Sequence, residues 1–304
     1  MEKILVSTYQ RRIFYIISFS FLALVELIRL FIIPVIFNTE RLGLDSILNL
    51  ILDNLFATGF VTIAIASLVF WLTPAVENEP KLETVEPRRI GGLLKRARET
   101  NEYWFSGNSA RYTRAVTLPE LAENSRTQNI SKSITMLLLD PTDKKLCEEY
   151  IKYRSGVRSA NKSGEWTLER IRKDIYASII AAYAYAAEHP LLEIKIGLKK
   201  AFSLLRVDLG ENLVVLTKED KQDPGLFAEA GSFHYSVYRE ELKFSLKQSK
   251  ILPIHSIQGI PFSDLNKNNV KKFLNDLDIY ESSISDQDLE EIIKLAKDKE
   301  NPYG

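Results

Sequence analysis

Two long apolar runs dominate the start of the chain, and a finer alternation of short apolar and polar stretches follows. The first run extends over Ile13–Phe37 and the second over Ile47–Thr73. Each exceeds the roughly 20 residues with which a helix crosses the hydrocarbon core of a bilayer. A signal peptide fits the first run poorly, because the run is too long and lacks a small-residue cleavage site. Buried helices of a soluble protein are the other alternative, but two adjacent spans favour a transmembrane hairpin over residues 1–74.

Basic residues around these runs predict their orientation. They precede the first span and follow the second, whereas the connecting loop, Asn38–Ser46, holds a single basic residue, Arg41. Cytoplasmic segments carry the excess of lysine and arginine, so both termini of this two-pass chain are expected in the cytoplasm. The flanking basic residues are Lys3, Arg11, Arg12, Lys81, Arg88, Arg89, Lys95, Arg96 and Arg98.

Among the polar side chains inside the two runs, we single out Glu26, Arg29, Asp53 and Asn54. Glu26 and Arg29 share a helix face, since they are three residues apart. At ~1.5 Å per residue, Arg29 and Asp53 lie about 12 and 9 Å from the outer ends of their spans, so they can meet across the hairpin. Snorkelling or a structural ion pair is one interpretation. The other is a polar face shared between protomers of a homo-oligomer, because charges within a membrane seldom face lipid.

A basic juxtamembrane linker, residues 75–100, separates the hairpin from the rest of the chain. Its RRIGGLLKRARE segment either lies on an anionic membrane surface or forms a solvated helix interrupted by Gly91-Gly92. Beyond it, short apolar runs alternate with amphipathic stretches. This pattern predicts a cytosolic α/β domain over residues 101–262, with a mostly parallel sheet, and a helical C-terminal tail over residues 263–304. The predicted strands are Tyr103–Ser106, Ile134–Leu139, Leu192–Leu198, Phe202–Asp208 and Leu213–Thr217, and the main helices are Lys144–Arg154, Thr167–Glu188 and His234–Gln248.

Composition narrows the chemistry that the chain can perform. Lysine plus arginine and aspartate plus glutamate number 40 each, so a net charge of +0 gives no general attraction to nucleic acid. The lone cysteine, Cys147, excludes an intramolecular disulfide and a multi-cysteine zinc or iron–sulfur site. Three histidines offer little material for a metal centre. We therefore expect neither a metal nor a cofactor.

The strongest local signal is the turn after the first predicted strand, which we interpret as a ligand- or phosphate-binding loop. A small, hydroxyl-rich turn at the carboxyl end of a strand exposes backbone N–H groups, and arginines add paired donors for phosphate. The turn is neither a G-x-G-x-x-G motif nor a P-loop, and a solvated loop with structural arginines is the alternative. The residues of this candidate site are Ser106, Gly107, Asn108, Ser109, Arg111 and Arg114.

Asp140 ends the second predicted strand and completes this candidate site. At the carboxyl edge of a sheet it could position a ribose or a metal. The alternative is that it caps the helix that begins just after it.

Three segments within residues 101–252 resemble phospholipase D-like domains: YWFSGNSARY (103–112), ITMLLLDP (134–141), and FSLLRVDLGENLVVLTKED (202–220), which leads into GSFHYSVY. The resemblance implies an α/β fold and a catalytic histidine that is followed two residues later by lysine. His189, His234 and His255 all lack that lysine. We therefore carry over no catalytic residue and predict that the chain is not an enzyme.

The layout of a two-span hairpin joined to an α/β domain resembles the small membrane effectors of bacterial anti-phage systems, including retron and cyclic-oligonucleotide types. This resemblance implies a bacterial inner-membrane protein whose hairpins oligomerise, disrupt the membrane and arrest growth. It also implies a partner for the cytosolic domain, either an inhibitory reverse transcriptase–nucleic acid complex or a nucleotide second messenger. The alternative is a membrane-tethered enzyme similar to a phosphodiesterase or nucleotide hydrolase.

Overall fold

The computed structural model describes residues 8–36, 44–72, 82–157, 166–253 and 259–302. They fall into two compact units, the apolar hairpin and the α/β domain. Most of the predicted loop between the two spans lies outside the described residues, as do Lys3, Lys81 and His255.

Two apolar helices form the first unit. Helix α1 (Thr8–Leu27) continues through a π-helical turn (Ile28–Ile32) into a last helical turn (Ile33–Ile36), and α2 spans Leu44–Leu72. Their apolar parts, 24 and 27 residues with mean hydropathies of 2.0 and 2.2, are long and apolar enough to cross a membrane. Most of their large apolar side chains are exposed. Such a surface needs lipid or another protein to cover it.

An ion pair joins the two helices of the hairpin. Arg29 Nη1 lies 2.7 Å from Asp53 Oδ1 and 3.5 Å from Glu26 Oε1, so one guanidinium serves a carboxylate on each helix. Asn54, next to Asp53, is exposed. Arg29 belongs to the π-helical turn, a local widening of the helix that is frequent at functional positions. The structure therefore contains the contact between Arg29 and Asp53 that their depths in the two spans predict.

The second unit is built on one sheet, for which the described residues give eight strands in the order β1-β7-β6-β5-β2-β3-β4-β8. The strands are β1 (Glu83–Val85), β2 (Glu102–Ser106), β3 (Lys132–Leu139), β4 (Leu192–Lys199), β5 (Arg206–Leu209), β6 (Leu213–Thr217), β7 (Gly225–Glu229) and β8 (Lys250–Ile251).

Helices cover both faces of this sheet. One face packs against a large core shared with most of the helices, in which α6 is the central, almost wholly buried element. The other face packs against α7 through a smaller core that includes Trp104, Leu137, Leu242 and Leu246. The helices are α3 (Pro87–Arg98), α4 (Leu118–Gln128), α5 (Lys144–Ser155), α6 (Leu168–Glu188), α7 (Phe233–Gln248), α8 (Lys267–Asp276) and α9 (Asp286–Lys297).

The prediction of a mostly parallel sheet is wrong, because the sheet is mixed. Strands β2, β3 and β4 run parallel, and every other pairing among the described strands is antiparallel. Parallel neighbours need a long crossover connection, whereas short turns join antiparallel neighbours. The turn at residues 210–212 and the loop at 218–224 are both short, so β5, β6 and β7 form an antiparallel meander.

Part of the predicted juxtamembrane linker, residues 75–100, belongs to the α/β domain. Strand β1 pairs with β7, and α3 buries Leu93, Leu94 and Ala97 in the domain core. Gly91-Gly92 lie within α3 and do not interrupt it. The basic residues of this helix therefore surround an apolar face that packs on protein.

Candidate functional site

Several strands bring their carboxyl ends to one edge of the sheet. Strands β2, β3 and β4 are parallel, so Ser106 at the end of β2 and Lys199 at the end of β4 lie at the same edge. Strand β6 is antiparallel to β5, which is antiparallel to β2, so β6 also points to this edge and is followed there by Glu219. Ligands of open α/β sheets bind at this kind of edge.

Ser106 and Lys199 also share a face of the sheet. Successive side chains of a strand alternate between faces, so Ser106 lies on the same side as Trp104, which packs against α7. Lys199 lies on the same side as Gly197, where an added Cβ would come within 3.0 Å of Leu246 Cδ1 of α7. Both side chains are therefore directed to the face that α7 covers.

The two side chains are in direct contact. Lys199 Nζ donates a hydrogen bond to Ser106 Oγ over 3.3 Å, and both residues are buried. Burial lowers the pKa of Lys199 to about 8, an effect that the negative charge of Glu219 opposes. A lysine in this state exchanges its proton close to neutral pH, whereas an exposed lysine stays charged.

Several further polar groups contact Glu219, which lies beside this pair. Its Oε1 accepts hydrogen bonds from Asn108 Nδ2 at 2.8 Å and from the Tyr150 hydroxyl at 3.0 Å, and its Oε2 lies 3.9 Å from Arg154 Nε. Asn108 is buried, and its Oδ1 has no hydrogen-bond partner among the described residues. We call Ser106, Asn108, Tyr150, Lys199 and Glu219 the Lys199 cluster.

A cavity of about 490 Å³ opens next to the cluster, between the sheet and the end of α7. Lys199, Lys200 and several serines line it, and Glu241 stands on its α7 wall. Pockets that hold drug-sized ligands typically have volumes of 300–1,000 Å³. Two lysines among hydroxyl groups favour an anionic ligand. The lining serines are Ser106, Ser203, Ser245 and Ser249.

The two arginines of the predicted phosphate loop lie outside this cluster. Arg114 is buried, and its guanidinium donates to the carbonyl oxygen of Asp174 at 3.0 Å, to Asp174 Oδ1 at 3.3 Å and to Ser178 Oγ at 3.3 Å. Arg111 Nε lies 3.5 Å from Asp174 Oδ2. Asp174 thus holds both arginines against α6, which is the geometry of the structural alternative.

Three arginines surround the indole of Trp166. The guanidinium carbons of Arg111, Arg154 and Arg170 lie 5.8, 4.8 and 4.6 Å from the ring centre. Arg154 also faces Glu219, so it connects this group to the Lys199 cluster. Three guanidinium groups therefore pack around one indole beside the carboxylates Asp174 and Glu219.

Gly107 and Ser109 shape the turn through their backbones. Gly107 N donates to Leu137 O, and an added Cβ at Gly107 would lie 2.4 Å from Phe105 Cζ, so only glycine fits there. Ser109 O accepts a hydrogen bond from Ser178 Oγ at 2.7 Å. These contacts fix the turn that carries Ser106 and Asn108.

Asp140 neither joins the cluster nor caps the following helix. Its Oδ1 accepts from the backbone N and the hydroxyl of Thr142, at 2.9 and 2.6 Å, in a local turn. Asp143 caps α5 instead, through a hydrogen bond from Leu146 N. An N-cap side chain accepts from the N–H of the second or third helical residue, and Asp143, directly before the helix, is placed to reach that of Leu146.

The other candidate nucleophiles and bases of the sequence lie elsewhere. His234 begins α7 and His189 precedes β4, both near the opposite edge of the sheet. Cys147 is buried, and burial raises its pKa to about 11, so its thiol stays protonated. Among the described residues, no three histidine, cysteine, aspartate or glutamate side chains form a metal-binding group.

Of the residues in the Lys199 cluster, the sequence analysis named Ser106 and Asn108 as candidates but not Lys199 or Glu219. Lys199 follows a predicted strand directly, so the signal was its place at a strand end. Glu219 gave no such signal. It lies at this edge of the sheet only because β5 and β6 form an antiparallel pair, which the local sequence does not indicate.

No protein-family model matches the chain, and no curated protein matches its sequence. Solved structures give similarities at low identity. A phospholipase D family member, Nuc from Salmonella typhimurium, is 12% identical over 57% of this chain and 98% of Nuc, with a TM-score of 0.34. Phosphatidylserine synthase from Haemophilus influenzae is 10% identical over 66% of this chain and 46% of that protein, with a TM-score of 0.39.

A third similar structure is the archaeal chromatin protein TrmBL2, which binds DNA in a novel mode. It is 12% identical over 66% of this chain and 65% of TrmBL2, with a TM-score of 0.29. The prediction that this chain is not an enzyme is wrong against these comparisons, because the similar structures include phosphatidylserine synthase and a phospholipase D family member. The role of the Lys199 cluster is therefore argued below from its own geometry.

Proposed function

We propose that the chain is a membrane-associated enzyme that hydrolyses a phosphate ester at the Lys199 cluster, as a phosphodiesterase or nucleotide hydrolase does. One observation carries the proposal: the buried Lys199 contacts Ser106 on the wall of a cavity of about 490 Å³. The apolar helices α1 and α2 supply the association with the membrane.

Charge favours a phosphate ester as the substrate. Lys199 and Lys200 line the cavity, and a phosphodiester carries negative charge at any physiological pH. Glu219 occupies the flank of the cluster, where Asn108, Tyr150 and Arg154 already satisfy it. Lys200, exposed beside the cavity, can therefore hold the phosphate as a charged group.

The titration of Lys199 favours catalysis over simple binding. A site that only holds an anion gains most from a permanently charged lysine or arginine. Burial instead lowers the pKa of Lys199 to about 8, which suits a group that takes up and releases a proton near neutral pH. The chain has no histidine followed two residues later by lysine, so the phospholipase D mechanism is absent and other groups must act.

The test uses the full chain in detergent micelles with bis(4-nitrophenyl) phosphate and a panel of nucleotides as substrates. Wild type is expected to release nitrophenol or phosphate. Ser245→Trp should abolish this release by filling the cavity, while Ser236→Trp, on the exposed side of the same helix, should leave it within about threefold. Equal activity in the two tryptophan variants, or no hydrolysis of any phosphate ester by wild type, would overturn the proposal.

A second candidate function, membrane disruption by assembled hairpins, is favoured by the Arg29–Asp53 pair. A simple anchor gains nothing from charges within its spans, because apolar residues insert at lower cost. If several copies share this polar face, Arg29→Leu should still insert but should not depolarise cells. A voltage-sensitive dye during induced expression distinguishes the cases: depolarisation by wild type and Arg29→Leu alike would reject this function.

A further inference from the structure

We propose that Ser106 is the nucleophile of this site and that Lys199 is its general base, so that hydrolysis passes through a phosphate ester of Ser106. This inference rests on the proposed function and deepens it. It assigns the two roles to groups that the resemblance to phospholipase D-like domains does not supply.

Geometry selects Ser106 as the nucleophile. A serine hydroxyl is a weak nucleophile until a neighbouring base removes its proton. Lys199 Nζ, 3.3 Å from Ser106 Oγ, is within reach for that transfer, and both groups line the cavity. Serine–lysine pairs are an established variant of serine–histidine catalysis.

Geometry also makes Lys199 the base. Lys199 is the last residue of β4, which pairs with β3. Its side chain is buried on the α7 face of the sheet, where little solvent is present to stabilise the charged amine. The titratable groups around it are Glu219 after β6, Lys200 next in the chain, and Tyr238 and Glu241 of α7. Burial dominates over the negative charge of Glu219, which favours the charged amine, so the pKa of Lys199 is lowered to about 8.

The reaction balances in two steps. Ser106 Oγ attacks phosphorus, its proton passes to the neutral Lys199 amine, and the bond from phosphorus to the leaving oxygen breaks as that oxygen takes the proton from Lys199. Water then attacks the phosphoserine ester, gives a proton to Lys199, and the Ser106 oxygen leaves with that proton. One water is consumed for each phosphate ester cleaved.

The test is covalent labelling of the full chain with a fluorophosphonate probe, followed by mass spectrometry of the tryptic peptides. We expect the label on Ser106, with a labelling rate that rises with pH to an inflection near 8. Lys199→Met should lower that rate at least about 100-fold. Ser236→Ala and Lys195→Met, exposed positions on the same helix and strand but outside the cavity, should stay within about threefold of wild type.

Two further variants keep the outcome interpretable. Ser106→Ala should lose both the label and the hydrolysis of bis(4-nitrophenyl) phosphate, while its melting temperature falls by no more than a few degrees, as loss of one hydrogen bond to Lys199 predicts. Ser106→Cys should instead be alkylated by iodoacetamide at position 106, in a manner that depends on Lys199. Hydrolysis that survives in Ser106→Ala, or a label on another residue, would overturn the nucleophile assignment and leave the proposed function standing. Absence of both hydrolysis and labelling in wild type would overturn both.

Discussion

Lys199 Nζ lies 3.3 Å from Ser106 Oγ, although the two residues are 93 positions apart in the chain. Two parallel strands on either side of β3 bring them together, and the close packing of α7 over Gly197 ends just before they meet. The contact therefore depends on the register of the whole parallel part of the sheet: Ser106 pairs with Leu137, and Leu137 with Gly197.

Lys199 should make the folded protein less stable. Its pKa falls from 10.5 when exposed to about 8 when buried, so between those pH values the unfolded chain binds more protons and stability rises with pH. Below pH 8 the native state carries the full cost of a buried charge, about 3 kcal/mol. The hydrogen bond to Ser106 offsets about 1 kcal/mol of this cost. Lys199→Met is therefore expected to raise the unfolding free energy at pH 7 by about 2 kcal/mol. Denaturant titration measures it, with exposed Lys200→Met as the control that should not change; a destabilised Lys199→Met would contradict the assignment.

The two arginines of the turn should differ sharply in their effect on stability. Arg114 is buried with Asp174, and removal of one member of a buried ion pair costs about 3–5 kcal/mol because it strands the other charge. Arg111 is about a third exposed and lies farther from the same carboxylate, at 3.5 Å. Arg114→Met should lower the melting temperature by several degrees, and Arg111→Met should lower it far less. Equal melting temperatures for the two variants would show that Asp174 does not need Arg114.

Two glycines should respond in opposite directions to the same substitution. An added Cβ at Gly210 would lie 2.1 Å from the backbone oxygen of Ala97, whereas one at Gly92, within α3, meets no atom within 4 Å. Gly210→Ala should destabilise the domain by more than about 2 kcal/mol, because the clash is with backbone. Gly92→Ala should stabilise it by about 0.5–1 kcal/mol, since alanine is the better helix former. Thermal unfolding checks both, and destabilisation by Gly92→Ala would mean that α3 needs its glycine.

Arg29 and Asp53 should behave as a coupled pair. Arg29→Leu or Asp53→Leu leaves a charge without its nearest partner, so each single variant should lower the thermal stability of the hairpin in detergent. The double exchange Arg29→Asp with Asp53→Arg should recover part of the loss, with a coupling energy of about 0.5–3 kcal/mol. Glu26 remains as the matched control, since it lies farther from Arg29, at 3.5 Å. Strictly additive losses would show that the pair contributes no coupling.

Local patterns predicted much of the fold. The apolar runs of β3, β4 and β6 and the periodic α5, α6 and α7 are recognisable because each buries a regular set of side chains. Strands β1, β7 and β8 were missed: β1 and β8 have only three and two residues, and β7 follows the turn-forming Asp223-Pro224-Gly225. Their pairing is decided by neighbours distant in sequence, which a local pattern does not contain.

The candidate site was predictable only in part, for a related reason. Ser106 and Asn108 stand in one short turn, so a motif can name them together. The strand order places Lys199 and Glu219 at the carboxyl edge of the sheet. Arg114 does not lie there, because it pairs with Asp174 on α6. A linear motif shows which groups are present, but burial and pairing decide which of them face the cavity.

The pH–rate profile of phosphate-ester hydrolysis by the full chain tests the central claim most directly. With bis(4-nitrophenyl) phosphate, kcat/KM of wild type should rise with pH to a plateau, with an apparent pKa of about 8 set by Lys199. Lys195→Met, an exposed position of the same strand outside the cavity, should keep this profile, while Lys199→Met should lose at least about 100-fold in kcat/KM at pH 8 and show no inflection there. A Lys199→Met variant with the rate and profile of wild type would contradict the account.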